Sequence, residues 1–439
     1  MMRHFRALAG LLVLALVLAA APAGAVDIRR VVSPGGIEAW LVEDRLAPII
    51  SLELAVCGGA ATDPTGKEGL AELVASTLDE GAGDLDSQAF QSRLEDLSIS
   101  LSFSADQDAM RGSLRTLSRN RDEAFRLLGL ALASPRFDVR SVERVRAQLL
   151  TRLARNLQDP GYIAGRALWG RLFPGHPYGR PHDGTPDTLR AITAEDLRAF
   201  VPRRFARDAL IIGVVGDIGA DALGTLLDRT FAALPKSAPA YLLPDVAPLT
   251  DGRTHVVEHA TPQSTILFAQ PGLRRSDPDW YAATVLNYIL GGGSFSSRLY
   301  SEVREKRGLA YSVYSYLAPL GFSAVWAGGA ATANAAVGES VTVIRSVWYD
   351  VAAGGIGAEE LADAKRYITG SWPLRFTDTA AIAATLVAVQ IEGLGIDYID
   401  RRNALVGAVS ADDVARVARR VLDPEKLTIV VVGRPDGLK

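Results

Sequence analysis

The chain repeats itself. Ile192-Thr-Ala-Glu-Asp-Leu197 returns as Val409-Ser-Ala-Asp-Asp-Val414. Each copy leads into an Arg-Arg pair, Arg203-Arg204 and Arg419-Arg420, and then into an apolar run ending in glycine, Leu210–Gly216 and Leu427–Gly433. Between Thr193/Ser410 and Gly216/Gly433 the offset never changes, and Pro48, Asp63 and Pro64 match Pro262, Asp277 and Pro278 at one offset of their own. A repeat on this scale means one structural unit used twice, so the 439 residues hold two α+β units of about 200 residues each. Thr193 with Asp196, and Ser410 with Asp413, read as capping boxes with Asp in place of Glu.

The spacing predicts the first unit over 26–233 and the second over 254–439. Between them, 234–253 (LPKSAPAYLLPDVAPLTDGR) carries four prolines and little apolar periodicity, and reads as an extended linker. Within each unit the order reads strand, strand, helix, strand, strand, several helices, then helix and strand. Helices running between strand pairs predict an antiparallel or mixed sheet with helices on one face.

Residues 1–25 have the form of a secretory signal: Arg3 and Arg6, an apolar core from Leu8 to Ala20, and Ala23-Gly24-Ala25 as a cleavage site. The expectation is export to a bacterial periplasm, with no stable membrane insertion after cleavage. An uncleaved anchor is the alternative. Losing Arg3 and Arg6 takes the formal net charge from −3 to −5, because that segment holds no acid. No cluster of basic residues gives the footprint of a nucleic-acid binder. The one cysteine, Cys57, excludes an intrachain disulfide, and its apolar neighbours predict a packing role.

Gly291 to Leu317 concentrates the chemistry. Gly291, Gly292 and Gly293 allow a sharp turn and close approach of another chain. Ser294 is the expected N-cap of a helix to Lys306, with Phe295, Leu299 and Val303 on one face. Gly308 is the expected left-handed stop, and Leu309 to Leu317 the strand beyond it. Arg304 and Tyr311 then converge over the turn, as two donors suited to a carbonyl oxygen gaining negative charge. The bland alternative is that Arg304 belongs to a solvated charge run and Tyr311 to a tyrosine-rich strand.

His255-Val-Val-Glu-His259 has the spacing of a zinc-peptidase motif. It aligns with Leu41–Arg45 of the first unit, which reads as strand. On a strand, residues four apart are about 13 Å apart, too far for both imidazoles to reach one zinc ion. His176 and His182 fall in a Pro- and Gly-rich loop, where packing or turn roles are expected.

The duplication, the Gly-rich loop and the R-x(6)-Y spacing of Arg304 and Tyr311 together resemble the pitrilysin/insulinase (M16) zinc peptidases and their mitochondrial processing-peptidase relatives. The resemblance covers nearly all the chain after the signal. It implies two similar domains facing a cleft, and zinc held by H-x-x-E-H on the first helix of the first unit. Here the His positions are Glu72 and Ser76, and the Glu position is Ala75. The third ligand would be an acid near residues 148–152, and no Asp or Glu occurs from Arg144 to Gln158. The resemblance therefore implies a subunit with no zinc of its own, a pseudo-protease. It would pair with an M16-like paralogue that keeps HxxEH and zinc, and would supply Arg304 and Tyr311. Gly291, Gly292, Gly293 and Ser294 would contact a peptide or unfolded-protein substrate. Two other readings stand: an inactive structural or binding homologue, and a self-sufficient zinc peptidase using His255, Glu258 and His259.

Overall fold

The computed structural model describes residues 26–436 and 438; the expected signal segment lies outside them. Eleven strands among these residues form two sheets. The first holds β1 (Arg29–Val32), β2 (Glu38–Glu43), β3 (Ile49–Cys57), β4 (Ser100–Ala105), β5 (Ala109–Leu117) and β6 (Ile211–Gly216). The second holds β7 (Thr254–Glu258), β8 (Gln263–Pro271), β9 (Ala310–Pro319), β10 (Ala324–Ala333) and β11 (Thr428–Gly433). The strand orders are β1-β2-β6-β3-β5-β4 and β7-β11-β8-β10-β9. Apart from the added edge strand β1, the two orders superimpose. The parallel pair recurs as well: β2 runs parallel to β6, and β7 to β11, while the other pairs are antiparallel. The duplicated α+β fold with mixed sheets is therefore what the chain forms.

Local chemistry explains the repeat. The helices used below are α1 (Leu70–Ala75), α2 (Val139–Asn156), α3 (Pro160–Leu172), α4 (Ala194–Arg204), α5 (Thr379–Ile391) and α6 (Ala411–Val421). Both expected capping boxes form at α4 and α6. The Thr193 hydroxyl accepts from the Asp196 N–H at 3.2 Å and Asp196 accepts from the Thr193 N–H at 2.7 Å. Ser410 and Asp413 repeat this at 3.1 and 3.0 Å. The strands that follow, Ile-Ile-Gly-Val-Val-Gly and Thr-Ile-Val-Val-Val-Gly, are almost wholly buried and sit inside their sheets, as continuous apolar runs require.

Those central strands are buried because both sheet faces are covered, not one as expected. One face carries helices of its own half, and the other receives a helix from the opposite half. Helix α5, from the second half, lies on β6 and β3 of the first sheet. Its Ile382, Ala383 and Leu386 pack with Trp40, Val42 and Val215. Ser51 Oγ meets Thr379 Oγ1 at 2.8 Å, and Gln390 Nε2 donates to the Ile212 carbonyl at 3.1 Å. A Cβ on Gly213 would stand 2.7 Å from the Ala383 carbonyl oxygen, so glycine is what allows the helix this close. In return α3, from the first half, lies on β8 and β11, where Ala164, Leu168 and Leu172 join Ala269, Val430 and Val432. Both exchanged helices start alike: Asp159 and Asp378 accept from the N–H three residues on.

The segment 234–253 has no regular structure, in accord with its prolines, but it is held along its length. The Leu249 N–H donates to the Leu172 carbonyl, the Val246 N–H to the Phe322 carbonyl, and Arg274 pairs with Asp245. No single helix among the described residues is long and apolar enough to cross a membrane.

Candidate functional site

The Gly-rich stretch forms a knot of short helical turns. A π-helical turn, Tyr288–Gly292, is followed by a 3₁₀ turn, Ser294–Ser296, and by a helix that begins at Arg298 and continues as a π turn to Glu305. The N-cap is Ser297, whose hydroxyl accepts from the Tyr300 N–H; it is not Ser294. Ser294 instead has a positive φ of 51°, which ends one turn before the next starts. This lifts Phe295 out of the expected apolar face and leaves it 69% exposed, while Leu299 and Val303 are buried.

The three glycines serve close approach rather than a left-handed backbone. A Cβ on Gly291 would stand 2.5 Å from Ser315 Oγ and 2.6 Å from Ser315 N. One on Gly292 would stand 2.5 Å from Asn287 Nδ2, and one on Gly293 2.7 Å from the Tyr288 carbonyl oxygen. Asn287 fastens the knot, its Oδ1 accepting from Ser315 Oγ and Trp326 Nε1 at 2.8 and 3.0 Å. Gly291 is buried by this packing; Gly292, Ser294 and Phe295 form the exposed tip.

Gly308, at φ 63°, closes the helix as expected, its N–H donating to the Arg304 carbonyl at 2.8 Å. The chain turns back into β9, and Arg304 and Tyr311 meet. The Arg304 guanidinium carbon lies 4.5 Å from the centre of the Tyr311 ring, 4.9 Å from Tyr300 and 5.9 Å from Phe295. Three π faces orient the cation, and no carboxylate among the described residues pairs with it. Tyr311 itself is 81% exposed. The arrangement is a preset guanidinium beside a free phenol, two donors facing solvent at the end of an edge strand. Tyr300 was not singled out from the sequence, and Phe295 was expected on the apolar face of the helix rather than beside Arg304. Tyr300, at i−4 from Arg304 on a helix, was the available signal.

The zinc position of the first half is filled by an ion pair. Glu72, Ala75 and Ser76 lie on α1 or at its C-cap, as expected. Arg152 reaches across from α2 and sets Nη2 2.5 Å from Glu72 Oε1. Within 148–152, where the resemblance puts the acid ligand, Arg152 is a guanidinium that repels a divalent cation and pairs with the Glu72 carboxylate. These residues do not fit zinc. Below α1, buried Asp63 accepts from the Gly69 and Ala71 N–H groups at 3.0 and 3.1 Å, tying off the helix start.

The HVVEH motif lies on β7 and just beyond it. His255 and Glu258 are three apart on a strand and point to opposite faces. His255 Nε2 is engaged by Asp251 Oδ2 at 2.8 Å. The strand registers pair His255 with Val430 as Trp40 pairs with Gly213, one residue from the alignment expected from sequence. No group of three or more His, Cys, Asp or Glu side chains among the described residues is placed to hold a metal. The geometry thus overturns the zinc-peptidase reading of His255, Glu258 and His259.

His176 is structural: its Nδ1 accepts from the Tyr178 N–H and its Nε2 lies 3.2 Å from the Pro244 carbonyl oxygen, with burial lowering its pKa. Cys57 ends β3 at an exposed position rather than in the core. Partial desolvation, with the Asp108 carboxylate nearby, pushes its thiol up, which disfavours a nucleophilic thiolate.

A duplicated α+β chain with interlocked halves, a filled metal position and an exposed Arg/Tyr pair defines a zinc-free relative of two-domain metallopeptidases. The family described as peptidase M16 inactive domain matches residues 191–368. A Helicobacter pylori protein named non-peptidase homolog YmxG is 30% identical over 336 residues, 76% of this chain and 77% of that one. A Streptomyces coelicolor protein named uncharacterized zinc protease SCO5738 is 32% identical over 290 residues, 64% of this chain and 62% of that one. The crystal structure of a peptidase M16 inactive domain from Pseudomonas fluorescens superimposes with a TM-score of 0.87 at 29% identity, over 94% of this chain and 100% of that one. On this evidence the chain belongs to the M16 peptidase family, as an inactive-domain homologue.

Proposed function

We propose that this chain is the zinc-free, Arg/Tyr-bearing subunit of a heterodimeric M16 metallopeptidase of the bacterial periplasm. A similar partner with an intact HxxEH helix would bind zinc, and the pair would degrade peptides or unfolded proteins. The observation that carries the reading is the Arg304–Tyr311 pair. A solvated charge run would leave the arginine mobile, whereas here three aromatic rings hold it beside an exposed hydroxyl. Donors fixed before the reaction stabilise a developing oxyanion without reorganising. The exposed tip at Gly292–Phe295 stands beside them and would contact the peptide, with Gly291 and Gly293 shaping it from beneath.

The ion pair between Glu72 and Arg152 favours a second reading, that of a structural or binding homologue with no part in catalysis. Mixing decides between them. The purified chain is combined with a zinc-bearing relative, and cleavage of a denatured protein is followed. Activity that requires the mixture, and falls in Tyr311→Phe without loss of complex, supports the first reading. A Tyr311→Phe complex as active as the unaltered one leaves the structural reading.

A further inference from the structure

A cavity of about 510 Å³ lies in the first half, between α3, the β4–β5 turn and the loop after Gly179. It is remote in sequence from Arg304 and Tyr311 and owes nothing to their assignment. Its apolar wall is the Trp169 and Tyr162 side of α3, together with Pro181. Gly165 opens it: a Cβ built there meets nothing within 4 Å.

The polar groups around this wall are unevenly satisfied. Asp106, the carboxylate lining it, already accepts from the Asp108 and Ala109 N–H groups at 2.8 and 2.7 Å and from Arg111 at 3.1 Å. Nearby Asp183 receives the Tyr162 hydroxyl at 2.9 and 2.8 Å on its two oxygens. Arg180 donates to the Ala61 carbonyl at 3.2 Å and lies 3.5 Å from Glu68. The Arg166 guanidinium sits over the Tyr162 ring at 5.7 Å, with the Tyr162 oxygen at 3.5 Å as its polar neighbour. Gln107 Oε1 is buried and accepts from no donor among the described residues.

The cavity therefore offers an aromatic wall and, on the same lining, a guanidinium that pairs with no carboxylate among the described residues. A carboxylate and an apolar side chain occur together at the C-terminal end of a peptide. The position agrees: Ala105 on the cavity rim is the last residue of β4, an edge strand whose outward backbone groups can receive an extended chain.

We propose that this cavity binds the C-terminal residue of a peptide, with the α-carboxylate on Arg166 and the side chain against Trp169. The probe is acetyl-Ala-Ala-Leu-Phe, titrated calorimetrically into the full chain with its terminus free or amidated. The free acid is expected to bind at least about tenfold tighter than the amide, since a hydrogen bond to a charged group is worth about that factor or more. Arg166→Gln is expected to bring the acid down to the amide's affinity. Gly165→Leu, which favours the helix while filling the cavity, is expected to weaken both peptides, with an unchanged far-ultraviolet circular dichroism spectrum showing that the fold is kept. Equal binding of acid and amide overturns the proposal, as does wild-type affinity in both variants or no binding of either peptide at millimolar concentration. An amidated peptide ending in Glu that binds as tightly as the free acid also overturns it, by moving recognition from the chain end to a side-chain carboxylate.

Discussion

Arg152 Nη2 lies 2.5 Å from Glu72 Oε1, joining α2 to α1 where the zinc-binding relatives of this fold would hold metal. The pair is partly exposed, so its contribution to stability is small. Its consequence is chemical: Glu72, the carboxylate at one of the two lost histidine positions, faces a permanent cation.

The purified chain should therefore carry far less than one zinc per molecule by elemental analysis. Placing histidines at the two lost positions, Glu72→His with Ser76→His, should not create a tight site while Arg152 remains, because a zinc ion there would stand beside a guanidinium with two ligands in hand. Adding Arg152→Glu supplies a third ligand and removes the repulsion, and zinc retention through dialysis should then rise toward one per chain. Stoichiometric zinc in the unaltered protein, lost in a His255→Ala/His259→Ala double variant, would restore the HVVEH reading.

The exchange of α3 and α5 predicts one cooperative transition for both halves. Leu386 belongs to the second half but is fully buried on the sheet side of the first. Leu386→Ala should cost about 2–5 kcal/mol, the usual range for such a cavity, and should lower the urea midpoint equally by fluorescence and by circular dichroism. Two separated transitions, with only one moved, would show that the halves fold independently.

Linker cleavage should behave accordingly. The chain between 234 and 253 is the expected first site of nicking, yet its ties to Leu172 and Phe322 give it protection beyond that of a free tether. Once nicked, the fragments should still elute together under native conditions and part only in denaturant. Spontaneous separation on gel filtration would contradict the interlocked packing.

Catalytic support from Arg304 and Tyr311 has a defined signature. In the mixed enzyme, Tyr311→Phe and Arg304→Lys should each lower kcat on the order of a hundredfold, the usual loss for one oxyanion donor, while the complex assembles as before on size exclusion. Arg304→Lys keeps the charge and loses the planar fork. Tyr314→Phe, three residues along the same strand, should change little.

Asp63 gives the stability a pH dependence. Burial pushes its carboxyl up to about 7, against the pull of the backbone N–H groups of Ala71 and Gly69; in an unfolded chain it titrates near about 3.9. Between those values the folded state holds the additional proton, so Asp63 makes the protein less stable as pH rises from about 4 to about 7, with no further change above. Asp63→Asn does not titrate. The stability of the variant minus that of the unaltered protein should therefore rise across that window, by a few kcal/mol at most. Parallel urea midpoints for the two proteins at pH 4.5 and pH 7.5 would rule this out.

The duplication was legible because it rests on short-range rules used twice. Capping boxes at Thr193 and Ser410 and buried runs at Ile211 and Thr428 need only a few neighbouring residues to declare themselves. The strand nature of His255–Glu258 was legible for the same reason, as was the left-handed stop at Gly308. The helix before that stop is capped three residues later than expected, at Ser297 rather than Ser294. Both Ser294 and Ser297 can cap, and Ser297 does so because it has the extended backbone a cap needs, whereas Ser294 has a positive φ.

What the sequence determined by itself was the repeat, the loss of zinc ligands at Glu72, Ala75 and Ser76, and the spacing that brings Arg304 back over Tyr311. The repeat and the Arg304–Tyr311 spacing follow from residue type and local geometry, and the lost ligands from the resemblance to the zinc-binding M16 peptidases. Only the tertiary structure decided that Arg152 neutralises Glu72, that three rings hold Arg304, and that α3 and α5 cross between the halves. These depend on contacts between residues as much as 328 positions apart, such as Ser51 and Thr379. An apolar helix such as Thr379–Ile391 states that it must be buried, but not against which sheet, because hydrophobic burial has no direction until the partner surface has formed.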